Sequence, residues 1–535
     1  MLPKSLDPDV SNNNSLAHAQ QPVSTHRPKL FFGQLSSYQT RSRLVRGQRP
    51  QRRFGRRHRR ESDRVVRPLK PGNAGGGKDP DFWRAFEEGE VKVIGKSLQT
   101  PTRIRSLQRK LYRKAKAEPA YRFYMLYDKV CREDILRHAY ALARSNAGAP
   151  GVDAVTFADI DLSGREAWLA GLREELVSKT YRPNPVRRVS IPKPNGGERA
   201  LGIPTIRDRV VQTAAKLVLE PIFEADFEDS AYGYRPVRGA VDAVKEVHRL
   251  IGRGYTDVVD ADLSKYFDTI PHSELMKSVA RRIADGAVLR LIKLWLKAPI
   301  EERDGDGKRR MSGGKSNARG TPQGGVASPL LANIYMNRFL KHWRLTARGK
   351  ALRAHVVAYA DDFVILSRGY AAEALAWTKA VMERLGLMLN DAKTSLKNAR
   401  RERFDFLGYS FGPYCYKGNG QWYLSAGVSK KSVQRLKAKV ANLLTPGNHD
   451  PWLDVRDALN GFLFGWARYF SYGTHRAAFR GIDYYVYERV RDFLARRHKI
   501  KGRGTNRFSY NVVYGERAVL RLERLPWSLA PCASR

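Results

Sequence analysis

The spacing of apolar and polar positions divides this chain into three regimes. Residues 1–85 show no period: the NNNS stretch (Asn12–Ser15), the basic run RPQRRFGRRHRR (Arg49–Arg60) and PGNAGGGKDP (Pro71–Pro80) carry few apolar side chains. A segment with so little to bury cannot offset the entropy of ordering itself, so a flexible basic arm is expected. Helical patterning begins near Asp81 and runs through Leu107 to Ala143, and the glycine-containing block Asn146–Asp161 reads as a loop leading into a short strand. From Leu162 to Gly412 short β-rich runs alternate irregularly with helical ones, which predicts an α+β domain. Beyond Val428 the pattern is helical again. Leu453, Val455, Leu459, Phe462, Leu463, Trp466 and Phe470 recur mostly at three- and four-residue steps, and a second helix is expected over Ile482–Leu494.

Charge narrows the class of partner. The 535 residues hold 97 Lys and Arg against 53 Asp and Glu, a net 97 − 53 = +44. Such a surplus favours a polyanion, because lysine and arginine release the counterions condensed on phosphates. The three cysteines, Cys131, Cys415 and Cys532, are far apart and form no CxxC pair, so neither a disulfide framework nor a cysteine zinc site is indicated. No apolar run approaches the ~18 residues of a membrane span and no signal-peptide layout opens the chain, so a cytoplasmic protein without a membrane partner is expected. Gly72-x4-Gly77-Lys78 imitates a phosphate-binding loop. Asp79 stands where a Ser or Thr is needed, Pro80 follows, and no strand precedes it, so the imitation fails on context.

Candidate chemistry lies in three places. HVVAYADDFVILS (His355–Ser367) reads as a hairpin with Asp361 and Asp362 adjacent near its tip. Paired carboxylates beside apolar strands repel each other and resist burial, so a cation is expected to neutralise them; a hard divalent ion with oxygen ligands, Mg²⁺, suits them best. DVVDADLSKYFDTIP (Asp257–Pro271) is a second acidic strand. Alternation puts Asp260 and Asp262 on one side, so geometry alone does not choose between them. Asp268 is expected to cap a helix starting near Thr269. GTPQGGVASPLLANIY (Gly320–Tyr335) reads as a glycine turn feeding a helix. Asn195-Gly196 is a hairpin signal flanked by the cations Lys193 and Arg199.

Taken in order, these motifs resemble the reverse transcriptases, and more closely the bacterial group II intron reverse transcriptase/maturase family. YADD resembles the family's catalytic hairpin, Asp262–Asp268 (DLSKYFD) its first acidic motif, and GTPQGG a highly specific loop. APGVD (Ala149–Asp153), IPKPNGGERALGIP (Ile191–Pro204), YGYRP (Tyr232–Pro236), LNDAKT (Leu389–Thr394) and FDFLGYSF (Phe404–Phe411) extend the likeness over roughly residues 95–505.

The resemblance implies a right-hand polymerase, with fingers and an antiparallel palm sheet followed by a helical thumb/maturase domain. The expected division is a basic arm at 1–85, a helical extension at 86–165, fingers and palm at 166–425, thumb/maturase at 426–510 and a tail at 511–535. It also implies two Mg²⁺ ions held by Asp262, Asp361, Asp362 and the carbonyl of Leu263, and a dNTP site of Lys193, Arg199, Phe267, Gln323, Gly324 and Lys393. Phe267 would be the sugar-sensing ring. The basic cluster Arg496, Arg497, Lys499, Lys501 and Arg503 is a candidate phosphate contact. Expected partners are an RNA template, group II intron RNA, a DNA primer or target, and dNTPs. The cysteine-paired HNH endonuclease of many relatives is expected to be missing. Two other readings share these motifs: a splicing maturase acting as an RNA-binding cofactor, and a domesticated reverse transcriptase of repair or phage defence.

Overall fold

The computed structural model describes residues 98–526, apart from 193–197, 237, 304–307 and 416–417. The arm at 1–85, its Gly72–Lys78 loop, the helical start near Asp81 and Lys193 therefore lie outside the described residues. Helix α1 (Thr102–Ala117) buries Ile104, Leu111 and Ala115 along one stripe, and α2 (Glu133–Ser145) buries Ile135, Leu136, Ala139 and Tyr140. The loop after α2 does not lead into a strand. Thr156 caps a helical stretch, Phe157–Leu162: its hydroxyl accepts the Asp159 N–H, and the Asp159 carboxylate accepts the Thr156 N–H. This reciprocal cap outweighs the β preference of Val155 and Thr156.

Helix α3 (Arg165–Val177) precedes the first sheet. Strands β1 (Val186–Pro192) and β2 (Glu198–Ile203) pair antiparallel. β1 also runs parallel to β4 (Pro299–Arg303), and β4 antiparallel to β5 (Arg309–Gly313), giving the order β2-β1-β4-β5. Between these strands lie α4 (Ile206–Glu224), α5 (Ala240–Gly252), α6 (His272–Ala280) and α7 (Gly286–Leu296). Buried α8 (Ser328–Leu345) and then α9 (Ala371–Arg384) follow.

The second sheet decides where the chemistry stands. It has the order β6-β7-β3-β8, all antiparallel, from β3 (Asp257–Asp262), β6 (Ala354–Tyr359), β7 (Asp362–Ser367) and β8 (Ser395–Asn398). Val259, Ala261, Val356, Ala358, Phe363 and Ile365 belong to one hydrophobic core. Val258, Val357, Val364 and Leu366 belong to another. Burial on both faces explains why VVAY and FVIL are continuous apolar runs rather than alternating ones. This sheet stands where the resemblance expects the palm, and the β1–β2 hairpin where it expects the fingers.

The second core continues into the thumb. A three-stranded sheet of β9 (Phe404–Phe406), β10 (Tyr409–Cys415) and β11 (Trp422–Val428) leads to α10 (Lys430–Leu443), α11 (Trp452–Tyr469) and α12 (Arg476–Arg497). On α11 the buried stripe is Val455, Leu459, Leu463 and Ala467, while Leu453 and Phe462 face solvent. The seven apolar positions of this segment cover more than one helix face, and only one can meet the core. Residues 511–526, expected as a tail, are part of this domain: Val513, Val519 and Leu522 are buried in its core. The Asp483 carboxylate accepts the N–H groups of Leu522 and Glu523. No described helix is long and apolar enough to cross a membrane. Of the three cysteines, the described Cys131 and Cys415 are free.

Candidate active site

The antiparallel register of β3 and β7 sets Asp262 directly opposite Asp362. The β6–β7 pairing closes with Tyr359 opposite Asp362, leaving Ala360 and Asp361 as the two-residue turn. Three carboxylates thus meet at one end of the palm sheet. Ala360 holds a left-handed backbone, φ 59°, a conformation that disfavours a side chain and persists only where neighbours impose it. The neighbour is the YGYRP segment. The N–H of Tyr232 donates to the Ala358 carbonyl at 2.8 Å, and that of Ala358 to the Ser230 carbonyl at 2.8 Å. A Cβ on Gly233 would stand 2.5 Å from the Ala360 nitrogen. Arg235 anchors the segment through a buried ion pair with Glu224 at 2.5 Å and bonds to the carbonyls of Glu228 and Ala231. Gly233 and Arg235 are legible in the sequence only as part of a motif; their work of clamping the Tyr359–Asp361 turn is visible only in three dimensions.

Asp262 is set from its other side by LNDAKT. The Asn390 N–H donates to the Asp262 carbonyl at 2.8 Å, and the Ser264 N–H to the Met388 carbonyl at 2.9 Å. Leu263 and Leu389 bridge in the same short ladder, so the Leu263 peptide is fixed as well. Asn390 Nδ2 and Lys393 Nζ reach the Asp262 carboxylate at 3.3 and 3.0 Å. Asp260 lies two residues back and faces Lys397 at 3.5 Å. It pairs across the sheet with Val364 and Ser395, not with an acid. Asp268 does not cap a helix. It sits within the single turn Tyr266–Thr269, and the next helix starts at His272 behind Pro271, whose ring ends the turn.

Crowding shows in the acidities. Burial, then the neighbouring carboxylates Asp361, Asp262 and Asp260, pushes the Asp362 carboxyl up to about 6. Burial first, and then Asp262, raises Asp361. Among the described residues no three His, Cys, Asp or Glu side chains form a ready-made metal cage. An open carboxylate set of this kind suits Mg²⁺, which keeps much of its shell for water and substrate phosphates rather than filling it with protein ligands. Charge repulsion among the acids is what such an ion relieves.

The GTPQGG loop closes the site opposite. Thr321 and Gly320 donate N–H bonds to the carbonyls of Phe267 (2.7 Å) and Ile270 (2.8 Å), while the Gln323 carbonyl accepts the Gly202 N–H at 2.5 Å. Gly324 has φ 111°, and a Cβ there would collide with the Gly202 carbonyl, so only glycine fits. Arg199 Nε donates to Gln323 Oε1 at 3.0 Å. The structure therefore brings Arg199, Gln323, Gly324 and Phe267 together. Phe267 is only 5% exposed, and its ring meets that of the more exposed Tyr234 edge-on at 6.3 Å. Tyr234 is a site residue the motif reading did not single out. The basic cluster lies apart, at the end of α12. Arg496, Lys499, Lys501 and Arg503 are exposed, whereas Arg497 is engaged by the carbonyls of His449 and Asp450.

Residues 191–411 match the family model described as reverse transcriptase (RNA-dependent DNA polymerase), and residues 433–510 that of the group II intron maturase-specific domain. Protein YkfC of Escherichia coli (strain K12) is 37% identical over 344 residues, covering 57% of this chain and 87% of that protein. The group II intron-encoded protein LtrA of Lactococcus lactis subsp. cremoris is 37% identical over 220 residues, covering 41% of this chain and 35% of that protein. With a relative matched along most of its length and both family regions present in order, the chain belongs to the group II intron reverse transcriptase/maturase family of RNA-directed DNA polymerases.

Proposed function

We propose that Asp262, Asp361 and Asp362 are the catalytic carboxylates with which this chain extends a primer on an RNA template, and that group II intron RNA is the partner of its maturase domain. The observation that carries the assignment is the register: Asp262 and Asp362 are cross-strand partners, with Asp361 at the adjoining turn. These three side chains and the Leu263 carbonyl would hold two Mg²⁺ ions, which when bound supply a more acidic primer 3′-hydroxyl and neutralisation of the leaving pyrophosphate. The protein's own part is placement and charge, since phosphoryl transfer asks little covalent work of it. Arg199, steadied by Gln323, and Lys193, by its match to the family motif, would grip the triphosphate, while Gly324 lets the backbone come close to the new base pair. Lys393, two-thirds exposed and beside Asp262, is placed to turn from that carboxylate to an arriving phosphate.

The deciding experiment is primer extension by the purified full chain on RNA and on DNA templates with Mg²⁺ and dNTPs. Incorporation on RNA templates is expected; none on either template would overturn the reading in favour of a splicing cofactor alone. Phe267→Ala or Phe267→Val should relax discrimination against ribonucleotides. The ring lies five residues beyond Asp262 and meets the Tyr234 ring edge-on at 6.3 Å. An rNTP-to-dNTP incorporation ratio equal to that of wild type would make Phe267 a core residue only. Neutralising Arg496, Lys499 and Lys501 together should weaken binding of a structured RNA and flatten its log–log salt slope by about 0.7–0.9 per lost contact, with single-nucleotide extension unchanged. An unaltered slope would mark the cluster as a solvated helix end.

A further inference from the structure

A cavity of about 210 Å³ opens between the one-turn helix Tyr127–Val130, the chain leaving α3 and the first turns of α7. Its lining includes Lys179, Arg182 and Arg290 and no carboxylate. None of these three residues belongs to the acidic motifs, the dNTP site or the cluster after α12.

Three acids near these walls are already engaged: Asp128 pairs with Lys129 at 3.0 Å, and Asp285 and Glu175 are held elsewhere. Asp285 accepts four backbone N–H groups, those of Leu126, Tyr127, Ala287 and Val288, and Glu175 is paired with Arg207. The two phenols are spent as well: Tyr127 donates to the Leu176 carbonyl at 2.7 Å and Tyr181 to Asp208 at 2.6 Å. Among the described residues the Lys179 and Arg290 side chains have no ion pair or hydrogen bond. Arg182 gives one nitrogen, Nη1, to the carbonyls of Lys179 and Tyr181. Lys179 also stands at φ 60° just past the end of α3, where a glycine would be easier to accommodate. All three residues are exposed, so salt screens their mutual repulsion, and an anion drawn into the hollow would meet all three.

We infer that this cavity takes a phosphodiester group of a folded RNA strand, a second RNA contact well separated in sequence from the cluster after α12. The inference rests on the RNA-binding reading above. A free nucleotide fits less well: of the two tyrosines in the lining, Tyr181 is buried and covered by the Arg207 guanidinium at 4.6 Å. A backbone phosphate needs only the cations, and the chain's excess of +44 brings such a strand in.

The test compares wild type with the double variant Lys179→Gln, Arg290→Gln in binding of a structured RNA across salt concentrations. Extension of a short, saturating primer-template serves as the parallel readout. Binding is expected to weaken about tenfold at 0.15 M salt, and the log–log slope to flatten by about 1.4–1.8 for two lost contacts. The extension rate should be unchanged. The charge-keeping pair Lys179→Arg, Arg290→Lys should bind as wild type does, which separates lost charge from a damaged fold. Equal affinity and slope in wild type and the double variant would overturn the cavity assignment alone. A wild-type chain that extends primers but binds no structured RNA would overturn the intron-RNA partner as well. If millimolar inorganic phosphate raises the Tm of wild type and not of the double variant while RNA binding is unaltered, the cavity is a small-anion site and the RNA inference fails.

Discussion

Asp361→Ala and Asp262→Ala should each lower primer extension by roughly 10³-fold or more, with the fold retained. A lost carboxylate removes charge stabilisation worth several kcal/mol from the transition state, and each 1.36 kcal/mol is a factor of ten. Neither side chain belongs to the hydrophobic core: Asp361 lies in a turn, and the Asp262 carboxylate accepts from Asn390 and Lys393. Asp260→Asn is the informative control. It removes the same charge two residues away, from a side chain that faces Lys397 and pairs across the sheet with Val364 and Ser395, so most activity should remain. Single-turnover extension with circular dichroism of each variant decides the matter. A dead Asp260→Asn beside an active Asp262→Ala would move the metal site to the wrong-looking acid. The pH profile should follow the same groups. The Asp362 carboxyl, raised to about 6 in the metal-free chain, is charged above that value; protons and the cation compete for it, so extension should fall at acidic pH, with the fall moving to lower pH as Mg²⁺ is raised.

Gly233→Ala is expected to lower kcat about 10²-fold although the residue bears no functional group and precedes the acidic motifs in the chain. A methyl group at this position would lie 2.5 Å from the Ala360 nitrogen and 2.9 Å from the Tyr359 carbonyl carbon, both backbone atoms that cannot swing aside. Either the Tyr359–Asp361 turn shifts or the YGYRP segment does. Arg235 resists the second course, since pulling its guanidinium from Glu224 would strand a buried charge at a cost of about 3–5 kcal/mol. The turn therefore moves, and a displacement near 1 Å at a reacting centre costs on the order of 10²-fold. The signature to seek is a fall in kcat with a nearly unchanged KM for dNTP and an unaltered thermal transition. Extension within twofold of wild type would show that the turn absorbs the methyl and that Gly233 serves only the loop.

The acidic hairpin, the glycine turn before α8 and the helical thumb could be read from order and spacing along the chain, because each is encoded locally. β-Formers flank a two-residue turn, glycines mark close approaches, and apolar residues recur at helical steps. Local encoding also explains the misreadings. The Thr156–Asp159 cap is written in the sequence but masked by neighbouring β-formers, and Val513, Val519 and Leu522, in the segment expected as a tail, join the second core only when the chain is folded. The choice between Asp260 and Asp262 was not available to strand alternation, which puts both on one face. The resemblance favours Asp262, and cross-strand register supports that choice by setting Asp262 against Asp362 and Asp260 against Val364. The clamps on the site were hidden for the same reason. Gly233 touches Ala360 and Asn390 holds Asp262 across more than a hundred residues of chain, so their roles depend on which backbones the palm sheet brings together. Sequence alone determined which residue types carry the chemistry. Only the tertiary structure decided which of them meet, because distance along the chain places no limit on contact once two cores bury both faces of one sheet.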